Sequence, residues 1–411
     1  MDAAAGAVTL GGMQRRGQAG LLVAMGLGSL SLRPQLVGIG PLLPNIQHSL
    51  GVSHAIAGLL VTIPVLCMGL FAPTAALLAA RVGTARAVSA ALILVAVAGI
   101  ARAITPSAAL VLLATVPVGI GMALGNALMP LAVKGGFESR PLLGTGVYTT
   151  GIQLGSFLAA ILAVPVADAW FGWRGALAAF GIAAAAGAIV WLLFAPRGQG
   201  SVVDAGGIPR LPLRNLTAWL LVAMFAAVAV NYYGLGAWLP NAYQERGWSE
   251  GHAALLLAIF NLATVPAGVL VTIIGDRLGS RRAYMVLAAV ALTAGTVLLI
   301  EVPAGAYAWA FVGGFGNGMM FPLMMTMPLD VSRRATDVSA VTGMMLGFGY
   351  SLAAISPFAL GAVRDATGSF RTSLWLLAAI TTGLAFIAWQ LGPRRLSHGI
   401  SVEPRARAHQ T

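Results

Sequence analysis

Arg33 stands in "SLRPQLVGIGPLLP", Ser31 to Pro44, a stretch otherwise almost wholly apolar and with no carboxylate among its neighbours. A guanidinium ion is a planar fork of N–H donors, matched to carboxylates, small oxyanions and the polar ends of pseudohalides. Other polar side chains interrupt later apolar stretches: Gln153, Asn231, Tyr232, Asn317 and Tyr350, with Tyr148, Asn126 and Asn261 as weaker candidates. Gln153 and Tyr350 lie 197 residues apart, a spacing that recurs below. Catalysis would need a nucleophile beside a base, or a ligand cluster. None of His48, His54, His252, His398 and His409 pairs with an acid at ligand spacing. No Gly-x4-Gly-Lys-Ser/Thr loop appears, so ATP is not the expected power source. These residues read as a binding set and not as an enzyme, with no cofactor and no metal.

The elements that carry them are set by composition. The chain is 58% hydrophobic and only 9% charged, with a strongly positive mean hydropathy. A soluble protein carries about 25% charged residues, so this is an all-α polytopic membrane protein. A span needs about 20 mostly apolar residues. Twelve such runs occur, near Gln18–Gly40, Ala55–Ala79, Ala87–Ile104, Ala108–Leu131, Leu143–Val166, Arg174–Ala195, Leu216–Pro240, His252–Ile274, Ala283–Ile300, Tyr307–Leu329, Val338–Val363 and Thr372–Leu391. With the N-terminus inside, the loops on one side hold eighteen Lys and Arg residues. The other side holds Arg102, Arg174, Arg246, Arg364 and Arg371. That asymmetry predicts both termini in the cytoplasm. The net charge of +12 is spread over several short loops and needs no nucleic-acid partner. Cys67 is the sole cysteine, so no intrachain disulfide forms. The first span is too long for the core of a cleavable leader, and no small-residue cleavage site follows it.

The chain repeats itself. "DAWFGWRGAL" at Asp168–Leu177 matches "DATGSFRTSL" at Asp365–Leu374, pairing Arg174 with Arg371 and Trp173 with Phe370 at a shift of 197 residues. "AARVGTAR" at Ala79–Arg86 matches "GDRLGSRR" at Gly275–Arg282 at a shift of 196. Two unrelated loops with nearly one shift indicate an ancestral six-helix duplication. The Gly- and Pro-rich "PRGQGSVVDAGGIPRLPLRN" follows the sixth run. The expected organisation is thus an N-terminal six-helix bundle, 1–195, a cytoplasmic linker, 196–215, a C-terminal six-helix bundle, 216–396, and a polar cytoplasmic tail, 397–411, expected to be disordered.

"GDRLGSRR" resembles the cytoplasmic loop motif of the major facilitator superfamily, acid-Arg-x-Gly followed by basic residues. The resemblance implies a gating latch: Asp276 accepts from a basic residue or a helix N-terminus when the cytoplasmic side closes, beside Arg277, while Gly279 permits a tight turn. In the first copy Ala80 replaces the acid before Arg81, so that latch is weakened, and a basic loop that only fixes topology is the alternative. Most of the chain resembles one branch of the superfamily more closely. "LRPQLVGIGPLLPNI", "AGLLVTIPVLCMGLFAP", "PLAVKGGF" with "GVYTTG" after it, "GWRGAL" and "GLGAWLPNAYQERGWS" are similar, in order and spacing, to the cyanate permease and nitroimidazole transporter family. That family often has Asn where this chain has Ser31. Lys134, in "PLAVKGGF", falls at the cytoplasmic end of its helix, where gating or topology fits better than binding.

The resemblance implies two pseudo-symmetric six-helix bundles in which the first helix of each three-helix unit lines a central cavity. That agrees with the energetics, because an arginine at membrane depth costs about 2.5–3.5 kcal/mol on insertion scales and must face the bundle interior. The twelve acids all fall in loops, tails or at helix ends. Arg33 therefore either contacts an anionic or dipolar substrate or braces the Pro34 kink through main-chain oxygens. The polar residues at depth are open to the same two readings, substrate contact or a helix-to-helix hydrogen bond. The expected function is transport of a small anion across a bacterial inner membrane by alternating access, as a monomer, with the lipid bilayer as the only other partner. Export of neutral or weakly basic drugs such as nitroimidazoles is the alternative, for which the aromatic residues near Asn231 would matter more. With no carboxylate at depth, a uniporter, an exchanger or a symporter whose proton travels with the substrate is expected.

Overall fold

The computed structural model describes residues 19–137, 141–195, 211–274, 281–332 and 334–390. Asp276, Arg277 and Gly279, most of the expected linker and the whole tail lie outside the described residues. Helices α1 (residues 19–31), α2 (Pro34–Val37) and α3 (Ile39–Leu50) form the first span. There follow α4 (His54–Phe71), α5 (Thr74–Val82), α6 (Thr84–Ile104), α7 (Ala108–Gly136), α8 (Pro141–Ala169) and α9 (Gly172–Phe194). Then come α10 (Leu216–Gln244), α11 (Glu250–Ile274), α12 (Arg281–Glu301), α13 (Ala306–Val331), α14 (Ala335–Ala353), α15 (Ile355–Thr367) and α16 (Phe370–Gln390).

Among the described residues, eleven spans are long and apolar enough to cross a bilayer. The twelfth, α13, has the length, 26 residues, but Gly313, Gly314, Gly316, Gly318 and Asn317 dilute its hydropathy. Three spans are interrupted, each near a proline. Pro34, Pro73 and Pro357 have no N–H to give the carbonyls of Leu30, Gly69 and Ala353, and the chain bends within a few residues of each. Large side chains such as Val97, Ile104, Leu193, Ile273 and Phe386 are more than half exposed, an outer surface suited to lipid and not to water.

Contacts divide the chain into two compact units, Met1–Ala205 with Gly236–Ala258, and Gly206–Leu235 with Ile259–Thr411. In the first, α6 packs on α7 and α9. In the second, α12 packs on α13 and α16 in the same pattern. The matched arginines repeat the geometry. Arg174 Nη2 donates to the Thr105 carbonyl at 3.0 Å, tying α9 to the end of α6. Arg371 Nη2 donates to both Glu301 oxygens at 2.8 and 2.9 Å, tying α16 to the end of α12.

Two expectations are corrected, the end of the first helix and the place of Arg102. The first helix runs to Leu50, ten residues beyond Gly40, because Pro41 falls in the first turn of α3, where a missing N–H is harmless. His48 is therefore helical, and α3 ends at Gly51 in the left-handed region, φ 62°. The His54 ring lies 5.8 Å from that of the fully buried Trp238. Arg102, assigned to the outer face, is completely buried in α6. Asp337 lies at a helix end as expected, buried in the first turn of α14, where a helix N-terminus favours a carboxylate.

Candidate functional site

In the first unit the site begins at the interruption in the first span. The Leu32 N–H turns back to the Ser29 carbonyl at 3.2 Å, and Arg33 occupies the bend, half-buried, with φ −94° and ψ −30°. Its carbonyl caps the short α2 by accepting from Leu36 N and Val37 N, both at 3.0 Å. Ser31, at the position where the resembled family often has Asn, faces elsewhere. Its hydroxyl donates to the Leu27 carbonyl at 2.7 Å, with the Ala183 carbonyl of α9 at 3.3 Å.

The interrupted segment is braced, and the brace is Arg102. Its Nη2 donates to the main-chain carbonyl of Gln35 at 2.8 Å and to the Gln35 side-chain oxygen at 2.5 Å. Nη1 reaches Thr115 Oγ1 at 3.5 Å. Gln35 Nε2 in turn donates to the Leu177 carbonyl of α9 at 2.9 Å. Gln35 is wholly buried, and Gly99 of α6 leaves the space that its amide fills: a Cβ there would lie 2.6 Å from Gln35 Cδ. A fork with two donors on neighbouring acceptors of one residue fixes that residue's backbone and side chain together. The sequence offered a signal for this, since Gln35 and Arg102 both interrupt apolar runs. Nothing in their spacing pairs them.

The walls around the bend are built from glycine. Gly151 and Gly155 of α8 lie against Gly26, Ser29 and Leu30 of α1 so closely that side chains there would collide with main chain. Gln153, between those glycines, is half-buried. On α7, a Cβ at Gly125 would lie 2.6 Å from Leu32 Cδ2, so Asn126 stands at the level of the bend. Arg81 and Lys134 are exposed near the ends of α5 and α7.

The second unit gathers an aromatic cluster. Phe225 and Tyr350 meet edge to face at 4.8 Å, Tyr232 and Tyr233 at 5.1 Å, and the Tyr233 and Tyr350 rings are 6.3 Å apart. Tyr232 donates from its hydroxyl to Asn261 Oδ1 at 2.8 Å and lies 6.1 Å from Phe260. Asn231, fully buried, donates from Nδ2 to Thr296 Oγ1 at 3.1 Å, while that hydroxyl donates to the Leu292 carbonyl at 2.9 Å. This is a bond between α10 and α12. Asn317 is buried in α13, with its Nδ2 lacking a hydrogen-bond partner among the described residues. Tyr232, Tyr350 and their neighbours are thus brought together in one unit, and Arg33 and Gln153 belong to the other. Phe225, central to the cluster, was not singled out because one Phe in an apolar run carries no signal.

The sequence model of the Major Facilitator Superfamily matches residues 21–354 and 221–409. The 2-nitroimidazole transporter of Escherichia coli (strain K12) is 31% identical over 361 residues, covering 86% of this chain and 91% of the relative. The cyanate transport protein CynX of the same strain is 30% identical over 376 residues, covering 91% and 98%. Among solved structures, the nucleoside transporter NupG superposes with a TM-score of 0.76 at 12% identity, covering 91% of this chain and 99% of that one. A bacterial homolog of the human lysosomal transporter Spinster gives 0.72 at 16% identity, covering 94% and 98%.

Proposed function

The chain belongs to the major facilitator superfamily and, within it, to the cyanate permease and nitroimidazole transporter family, and from that premise we propose that it carries a small anion, cyanate-like or another small oxyanion or carboxylate. Transport runs across the bacterial inner membrane by alternating access, in a monomer with both termini in the cytoplasm, and Arg33 anchors the substrate. One observation carries the reading: Arg33 sits half-buried at the bend of the interrupted first span, and Gln35 in the next turn is held independently by Arg102. A half-buried guanidinium at a bend suits a small anion that presents acceptor atoms to its fork of donors. In the same unit Gln153 would complete the ligand's surroundings; Asn231, Tyr232, Asn317 and Tyr350 remain candidates for ligand contact in the second unit, and Asp276, Arg277, Gly279, Arg81 and Lys134 would act in cytoplasmic closure.

A second reading rests on the aromatic cluster around Tyr232, Tyr233, Tyr350 and Phe225, which suits a flat neutral ring such as a nitroimidazole. Its nitro group offers an arginine fork two oxygens, as a carboxylate does. Thermal stabilisation of the purified chain and its Arg33→Ala variant by cyanate, nitrate, small carboxylates and nitroimidazoles separates the two. A ligand stabilises the state it binds. The expected result is a shift with an anion that disappears in Arg33→Ala. An equal shift of both proteins by a neutral compound, with none from any anion, would overturn the anion reading.

A further inference from the structure

We propose that Asn126 of α7 is a second ligand-contacting residue beside Arg33, and that the ligand it takes carries a hydrogen-bond donor next to an acceptor. An azole N–H, an amide, or an anion with its own N–H or O–H meets that requirement. Bare cyanate or nitrate, which only accepts, would engage Arg33 and leave the Asn126 oxygen unfilled. The inference rests on the reading that ligand binds at the interrupted first span.

Both polar atoms of the Asn126 carboxamide, Nδ2 and Oδ1, are buried without a hydrogen-bond partner among the described residues. Exchanging the two atoms changes nothing, since neither has a partner. The residue's main chain adds to the deficit. Pro130, four residues on inside the same helix, has no N–H to return to the Asn126 carbonyl. A donor and an acceptor without partners are therefore concentrated in one side chain, beside a carbonyl that lacks its regular helical donor. Gln35, the buried carboxamide one element away, is the contrast, with its Nε2 and Oε1 both bonded. A buried, unpaired carboxamide is costly, and proteins retain such a group where something else fills its valence.

The position points to ligand. Gly125 touches Leu32, so Asn126 lies level with the bend that holds Arg33. Ser29, one turn before that bend, is wholly buried and its hydroxyl also has no partner among the described residues. At the level of the bend that holds Arg33, a pure donor, the chain thus carries a carboxamide and a hydroxyl that can accept as well as donate. A ligand that only accepts would satisfy the arginine and leave the Asn126 oxygens wanting.

The test uses the purified full chain and its Asn126→Leu and Arg33→Ala variants. Unliganded melting is compared with binding of 2-nitroimidazole, of its N-methyl derivative, which lacks the donor, and of cyanate and nitrate. Asn126→Leu is expected to melt at or above the wild-type temperature, because it removes an unsatisfied group. It should bind 2-nitroimidazole at least tenfold more weakly. The N-methyl compound should bind wild type weakly and be insensitive to the substitution. Lower melting without a loss of binding would make Asn126 structural and overturn the proposal. So would wild-type binding of the N-methyl compound equal to that of its parent, or no stabilisation by the donor-bearing probe. Retention of binding in Arg33→Ala with loss in Asn126→Leu removes the Arg33 anchor and leaves the Asn126 contact standing. The opposite pattern does the reverse.

Discussion

Cutting the brace at Arg102 tests whether the interrupted first span is held from outside itself. In Arg102→Leu, the main-chain carbonyl and the side-chain oxygen of Gln35, both buried, lose their donor. An orphaned buried acceptor costs about 1–3 kcal/mol in soluble proteins, whereas hydrogen bonds between membrane helices average about 0.6 and reach about 1.7 kcal/mol. Removing the guanidinium also relieves its own desolvation, so a loss of about 2 kcal/mol is expected. Gln35→Leu should lose a similar amount, because its bond to Leu177 goes as well. The double variant should then be no worse than either single one by more than about 0.5 kcal/mol, giving a coupling energy of about 1–2 kcal/mol. Arg102→Lys should not restore wild-type stability, since an ammonium is a point charge without the fork. Thermal unfolding of the four purified proteins measures the cycle, and uptake in proteoliposomes should fall with it as Arg33 loses its fixed bend. Strict additivity, or wild-type melting for Arg102→Leu, would refute the brace.

Other perturbations follow from the same geometry. Gly40→Ala should lower the melting temperature and slow transport, because a Cβ there collides with the Gly236 carbonyl where α3 also holds Glu250 through Asn45 Nδ2 at 3.2 Å; thermal unfolding and uptake check it. Gly155→Leu should destabilise by about 1–3 kcal/mol, the usual range for overpacking, by driving α8 off the Leu30 main chain; denaturation in detergent reads it directly. Asn231→Leu should cost under about 2 kcal/mol, and combining it with Thr296→Val should add little, since the two share one bond; a melting-temperature cycle decides. Glu301→Gln should change stability by less than about 1 kcal/mol, its pair with Arg371 being well exposed; unfolding at low and high salt tests that.

The twelve spans were legible because a bilayer demands about twenty apolar residues whatever the partners. The duplication was legible because its loops preserve side chains, and Arg174 and Arg371 indeed tie equivalent helix ends. What escaped were the consequences of proline. "VGIGPLLP" reads as the end of a helix, but Pro41 falls in a first turn and Pro44 is tolerated inside α3, so the helix continues to Leu50. Pro130 reads as a kink, and its effect on the Asn126 carbonyl becomes informative only once the carboxamide is known to be unsatisfied.

Arg33 and Arg102 show why the candidate site was half legible. Each is an arginine in an apolar run, and sequence alone offers two roles for such a residue, ligand contact or main-chain support. Energetics required Arg33 to face inward but could not choose between the roles. Arg102 looked interfacial because it precedes a short loop at the end of its run. The choice depends on which acceptors face each guanidinium, and the acceptors of Arg102 lie 67 residues away in the same broken segment that carries Arg33. Holding Gln35 two residues beyond Arg33 fixes the next turn of the bend through a guanidinium other than that of Arg33. If Arg33 contacts ligand as proposed, Arg33→Ala should lose binding while the Arg102–Gln35 brace keeps the span in place, and melting of the unliganded variant at the wild-type temperature is the control that separates the two roles.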